Sequence, residues 1–168
     1  LTRANLTGSL LYGANLNYAN LYLAILTNSE LPYATLRYAN LVSAEAVGVE
    51  LVRADLVRAD LRFANLAGAD LSYADLSKAD LTGANLTGAN LSGANLSDVN
   101  LYGANLTGAN LYGAHLTVAN LAVADLSRAD LSRADLRWVN LGLGDLTGLL
   151  YTSPSLRDLS TSRMPSSA

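Results

Sequence analysis

An apolar residue recurs at every fifth position along residues 1–146. The unit Ala84-Asn85-Leu86-Thr87-Gly88 is followed at once by Ala89-Asn90-Leu91-Ser92-Gly93. With the leucine taken as position i, 30 units follow one another without insertion or loss, and Leu fills 29 of them, Ala46 being the exception. Position i−2 is Ala in 23 units and position i−1 is Asn or Asp in 22, while i+1 and i+2 vary freely. Neither regular element explains a period of five. On an α-helix five residues advance the azimuth by about 140°, so the leucines would wander round every side. On a strand side chains alternate with period two, so an odd repeat would send successive leucines to opposite faces. All of them can point inward only if the chain turns once per unit. Each pentapeptide is then one side of a coil.

The number of sides shows at i+2. When the units are sorted by four, one class (residues 8, 28, 48, 68, 88, 108, 128 and 148) is Gly at six of eight positions. Another class reads Tyr18, Tyr38, Arg58, Lys78, Asp98, Val118 and Trp138, with no Gly. Sorting by three or by five spreads the glycines evenly. Four sides and a 20-residue coil follow. The glycine-rich side predicts a corner with positive φ, and the side carrying Tyr, Arg and Trp is expected to turn without it.

Composition sharpens this picture. The 168 residues include 36 Leu and 27 Ala but one Phe, one Trp, one Met and one Ile. An ordinary core mixes shapes to fill irregular space, whereas one residue type repeated this often means one packing site repeated many times. High hydrophobicity with a net charge of −3 excludes disorder. The lack of Cys excludes a disulfide scaffold and a thiolate metal site. No apolar run reaches the ~18 residues of a membrane helix.

The A(N/D)LXX repeat resembles that of the pentapeptide repeat family, in the Leu-centred form abundant in cyanobacteria and plastid-related compartments. The resemblance covers residues 1–146. It implies an all-β fold, a right-handed quadrilateral β-helix with four pentapeptides per coil and about 7.5 coils here, with i and i−2 inward and the other positions outward. Coils at a strand spacing of about 4.8 Å would make a rod roughly 36 Å long. Leu61, Leu81, Leu101 and Leu121 are expected to stack in one ladder, with Leu96 central in another. The expected organisation is a β-helix over 1–150, a short capping helix over 151–159 and a flexible tail over 160–168. In the cap, Ser153 serves as N-cap and Pro154 as the first helical residue, and Leu156 and Leu159 cover the last coil. An uncovered first coil would expose a Leu/Ala layer and unpaired edges, which calls for a cap, a second copy or another partner.

The outward positions decide the chemistry. Asn and Asp at i−1 are short acceptors suited to backbone N–H groups at turns. Stacked carboxylates such as Asp55 with Asp75, Asp60 with Asp80 and Asp125 with Asp145 recur along a convex rod without a pocket. They are read as structural, as is His115, so no catalytic residue, metal site or cofactor is expected. Two columns stand out: Tyr33, Arg53 and Tyr73, and beside it Tyr18, Tyr38, Arg58 and Lys78. Tyr and Arg are the residues of interaction hot spots, although a cation–π ladder that only stiffens the rod has the same composition. Residues 81–124 carry one formal charge, Asp98.

A non-enzymatic protein-interaction or scaffolding module is therefore expected. The first alternative, implied by the family's best-known activity, is a DNA-mimic modulator of a type II topoisomerase. Charge argues against it. Duplex DNA would carry about 21 charges over this length, at one per ~1.7 Å. The chain has 14 acidic and 11 basic residues. Phe, which gyrase-directed relatives favour at the central position, never occupies it here. The second alternative is a rigid spacer in a larger complex. The expected partner is an unidentified protein, with a homodimer through an uncapped end as a further candidate. Direct nucleic-acid binding and membrane insertion are not expected. A soluble, cytoplasmic location is the default, since no signal peptide is visible.

Overall fold

The computed structural model of the chain describes residues 1–150, so the expected cap (Ser153, Pro154, Leu156, Leu159) and the tail lie outside the described residues. The chain winds as a solenoid whose turn is 20 residues long. Each i−1 residue bridges the residue 20 positions on, as in Asn5↔Ile25, Asp55↔Asp75 and Asp125↔Asp145, always in parallel. Sides 1 to 4 begin at Leu1, Leu6, Leu11 and Leu16 and recur every 20 residues.

The all-β class needs correction. Among the described residues there is no sheet, barrel or helix, and every bridge is isolated, one residue per pentapeptide. Over the described residues the chain therefore does not form a quadrilateral β-helix with strands as its sides. The reason is local. Two of the five residues in each unit form the turn proper and a third closes it, which leaves no run of consecutive extended residues to build a ladder.

The backbone satisfies every N–H of a unit in a fixed way. In the unit 61–65, Leu61 N–H donates to Asp80 O of the next coil at 2.7 Å and Phe63 N–H donates to Thr82 O at 3.0 Å. Asn65 N–H donates back to Ala44 O at 2.9 Å, and Ala64 N–H closes the turn on Leu61 O at 3.0 Å. That leaves the N–H of i+1, which Arg62 gives to the Asp60 carboxylate at 3.2 Å. All 22 Asn and Asp residues at i−1 accept this bond from the residue two positions on. The i−1 preference thus fills the one donor the coil cannot pair by itself. Pro32 fits the same rule. It sits at i+1 after Glu30, where no Asx acceptor is present and Pro has no N–H to satisfy.

A second expectation also fails. Positive φ is not confined to the glycine-rich side. Every i+2 residue, from Arg3 to Gly148, has φ between 53° and 67°, and 19 of the 30 are not glycine. From Arg3 to Arg128 the i+2 N–H donates to a carbonyl of the next coil, a bond that goes with the left-handed corner regardless of side chain. Glycine is required at some corners for a different reason. A Cβ on Gly83 would lie 2.8 Å from the Phe63 ring, and one on Gly93 would lie 2.7 Å from the Tyr73 ring. The aromatic of one coil lies over the glycine of the next.

The interior holds the i and i−2 side chains. Leu61, Leu81, Leu96, Leu101 and Leu121 are buried, each at most 1% exposed, and the alanines between them are equally buried. Ser29 replaces Ala at one i−2 position and is fully buried, with its hydroxyl donating to Leu26 O at 2.7 Å. Ala46, the one central position without Leu, is buried, and so is Val49 at the next i−2 position. Leu6, Leu11 and Leu16 of the first coil are only partly buried. Among the described residues no helix is long and apolar enough to cross a membrane.

Candidate protein-interaction surface

The corners carry the side chains that remain free. On side 3, Tyr12 and Tyr33 pack tilted at 5.4 Å between ring centroids. The Arg53 guanidinium lies 6.0 Å from the Tyr33 ring and 5.6 Å from the Tyr73 ring, so it is sandwiched between the two. Further along the same side, Arg133 lies 5.5 Å from the Tyr112 ring. On side 4, Tyr18 and Tyr38 stack with parallel rings at 5.1 Å, and Arg58 lies 5.8 Å from Tyr38. All seven residues of the two columns singled out in the sequence are exposed. Lys78 stands next after Arg58 in its column but is not part of a cation–π pair.

Two pairs were hidden from a comparison of identical positions. Tyr12–Tyr33 and Tyr112–Arg133 join an i+1 residue to an i+2 residue, at a spacing of 21 rather than 20. A scan for aromatic and basic residues 21 apart would have found them.

Register sorts the charges. Arginines at i+1 are neutralised internally: Arg62 by Asp60 at 2.7 Å, Arg137 by Asp135 at 2.6 Å and Arg37 by Asp55 at 2.8 Å. Their bonds hold Asp60 below the usual carboxylate range and bring Asp135 to about 2. Asp125 is also held down, by hydrogen bonds from Ser127 and then Thr107. Among the described residues, Arg53, Arg58 and Arg133 at i+2 have no carboxylate within ion-pair distance. The aspartates at i−1 from Asp55 to Asp135 are half-buried, with one oxygen committed to the backbone. The charged side chains at the exposed corners are therefore basic except Asp98, although the chain as a whole has a net charge of −3.

The stacked carboxylates are engaged within the coil. Asp55, Asp60 and Asp80 each accept a backbone N–H and share Arg37 or Arg62. Where Asn follows Asp in a column, its amide bridges the coils, as from Asn95 to Asp75 at 3.1 Å and from Asn100 to Asp80 at 3.2 Å. Among the described residues no group of three or more His, Asp or Glu side chains could hold a metal ion.

The pattern of the pentapeptide repeats family matches residues 1–28, 29–72, 79–117 and 104–142. A comparison with curated proteins gives no match. Among solved structures the chain is similar to HetL, a pentapeptide repeat protein involved in heterocyst differentiation regulation in the cyanobacterium Nostoc sp. strain PCC 7120. The identity is 32% over 88% of this chain and 89% of that one, with a TM-score of 0.46. It is similar to a pentapeptide repeat protein of the Arabidopsis thaliana thylakoid lumen at 29% identity, over 56% of this chain and 69% of that one, with a TM-score of 0.52. It is also similar to trypsin-treated QnrB1, a plasmid-mediated fluoroquinolone resistance protein, at 19% identity over 98% and 94% of the two chains, with a TM-score of 0.53. At that identity the likeness is one of fold. With the repeat matched along most of its length, the chain belongs to the pentapeptide repeat family.

Proposed function

We propose that this chain is a protein-binding rod whose recognition surface is the Tyr/Arg corners of sides 3 and 4. The non-enzymatic, interaction-type role comes with the family. The observation that carries the finer reading is Arg53, exposed and held between Tyr33 and Tyr73 with no internal carboxylate partner. A stack that only stiffened the rod would not need to leave the guanidinium edge unpaired. The partner surface comprises Tyr18, Tyr33, Tyr38, Arg53, Arg58, Tyr73 and Lys78. Affinity capture from native lysate tests it. Arg53→Ala and Tyr38→Ala should each weaken capture of the partner. The melt should move little, since an exposed cation–π contact contributes only about 0.5–1 kcal/mol. Capture unaffected by both changes would remove this surface from the account.

A second reading is a DNA-mimic modulator of a type II topoisomerase. The comparisons bear on it more than on any specific scaffolding role, because a fluoroquinolone resistance protein shares the fold over nearly the whole chain. The placement of charge weighs the other way, since the aspartates from Asp55 to Asp135 are half-buried at i−1, with Asp98 the one acid at a corner. Inhibition of gyrase supercoiling at micromolar chain would establish it. A homodimer through the first coil, where Leu1 and Leu10 are exposed, is a separate proposal. Sedimentation velocity at the monomer mass would dismiss it.

A further inference from the structure

Side 3 carries two guanidiniums in one column, each over a tyrosine ring. Arg53, Tyr73, Gly93, Gly113 and Arg133 follow one another at intervals of 20 residues, and the bridges Asp55↔Asp75, Asp75↔Asn95, Asn95↔His115 and His115↔Asp135 hold that register. The two arginines are four coils apart, about 19 Å at strand spacing. Each guanidinium lies over a ring within cation–π distance, Arg53 at 6.0 Å from the Tyr33 centroid and 5.6 Å from that of Tyr73, and Arg133 at 5.5 Å from that of Tyr112. A cation–π contact consumes none of the N–H donors of a guanidinium, whose fork can grip a carboxylate with two parallel bonds. Neither fork has an internal hydrogen-bond acceptor among the described residues. Between them the corner residues are Tyr73, whose ring lies against Arg53 and over Gly93, and then Gly93 and Gly113, which carry no side chain. No acidic residue occupies i+1 or i+2 anywhere on this side.

We propose that side 3 binds an extended acidic protein segment lying along the rod, with one carboxylate on Arg53 and another on Arg133. This rests on the protein-binding reading above and names the chemistry of its partner. An extended chain rises about 3.3 Å per residue, so the two carboxylates stand about six residues apart. A nucleic acid fits less well. Its phosphates would crowd the uncharged stretch between the arginines and meet Asp70 and Asp75 at the edges of the side.

The test is a titration of the full chain, at low ionic strength, with acetyl-Glu-Thr-Ser-Thr-Ser-Thr-Glu-amide, read by NMR at the arginine Nε–H resonances. The signals of Arg53 and Arg133 should shift together and saturate with one dissociation constant. That constant should be at least fivefold tighter than for the peptide with one Glu replaced by Gln, and Arg53→Gln or Arg133→Gln should abolish the advantage. Arg62→Gln, which removes a fork already held by Asp60, should change nothing. Equal binding of the all-Gln peptide, or shifts spread over every arginine, would overturn the proposal. A short oligothymidylate binding more tightly than the peptide would overturn it as well. If capture from lysate depends on Arg53 while the peptide does not bind, the surface stands and the acidic-segment reading falls.

Discussion

Gly88 isolates the energetic cost of a corner. Its φ is +65°, and a Cβ built on it meets nothing within 4 Å. Gly88→Ala therefore adds no clash and removes no contact. What remains is the left-handed conformation, about 1–2 kcal/mol for a residue with a Cβ, set against the lower entropy of Ala in the unfolded chain, about 0.4–1 kcal/mol. The expected net loss is about 1 kcal/mol, or a fall of roughly 2–4 °C in the melt of a chain this size. Gly93→Ala has the same φ penalty plus a Cβ 2.7 Å from the Tyr73 ring, which must leave its place beneath Arg53. Losing that stack adds about 0.5–1 kcal/mol, so Gly93→Ala should cost roughly 2 kcal/mol. The reverse change at an exposed β-branched corner, Val118→Gly at φ 63°, should be neutral to stabilising by up to about 1 kcal/mol. Urea unfolding followed by far-UV circular dichroism reads all three, with the m-value checked for constancy. If Gly88→Ala stabilises the chain, the corner is not left-handed. If Gly93→Ala and Gly88→Ala cost the same, the aromatic does not lie over the glycine.

Other consequences follow from the same arrangement. Leu96→Asp places an unpaired charge in the fully buried interior and should cost about 4–5 kcal/mol, enough to split the stack at that coil; an unchanged melt would refute it. Asp135 has its pKa lowered to about 2, chiefly by the hydrogen bond from Arg137. Because the folded value lies below the unfolded one, the stability it contributes is present above about pH 4 and is lost as pH falls toward 2. The melting advantage of the native chain over Asp135→Asn should shrink across that interval, and an advantage constant from pH 6 to pH 2 would contradict the assignment. Deleting residues 81–100 removes one whole coil and keeps every bridge partner 20 apart, so the chain should fold and melt cooperatively. Deleting 81–95 rotates the remainder by one side, moves Arg133 off side 3 and should abolish the two-carboxylate binding.

The repeat, the inward positions and the 20-residue coil could be read from residue types alone, because one packing site recurs with a period that no helix or flat strand can hold. The use of Asn and Asp at turns was also legible, though not which N–H they serve; that needs the other four donors of the unit to be accounted for first. The corners were misread. The absence of Gly from the Tyr18–Trp138 column suggests a different turn, but backbone bonding accompanies positive φ at Tyr, Arg and Gly alike, and only Tyr18, Tyr38 and Arg58 of that column stack between coils. The strand content was overstated for a related reason. A family's fold suggests strands, whereas five-residue sides with a turn in each leave single bridged residues. The segregation of charge, with the acids of the repeat at i−1 except Asp98 and the bases at i+1 and i+2, was present in the sequence but is invisible in the net charge.

The central claim is that partners meet the rod at the Tyr/Arg corners and not at its small-residue side. Site-specific photocrosslinking in native lysate addresses it. A benzophenone-bearing phenylalanine is placed at Tyr33 on side 3 or at Thr87 on side 2, beside Gly88. The account predicts an ultraviolet-dependent adduct from position 33 and none from position 87. The same adduct from position 87 with none from position 33 would contradict it.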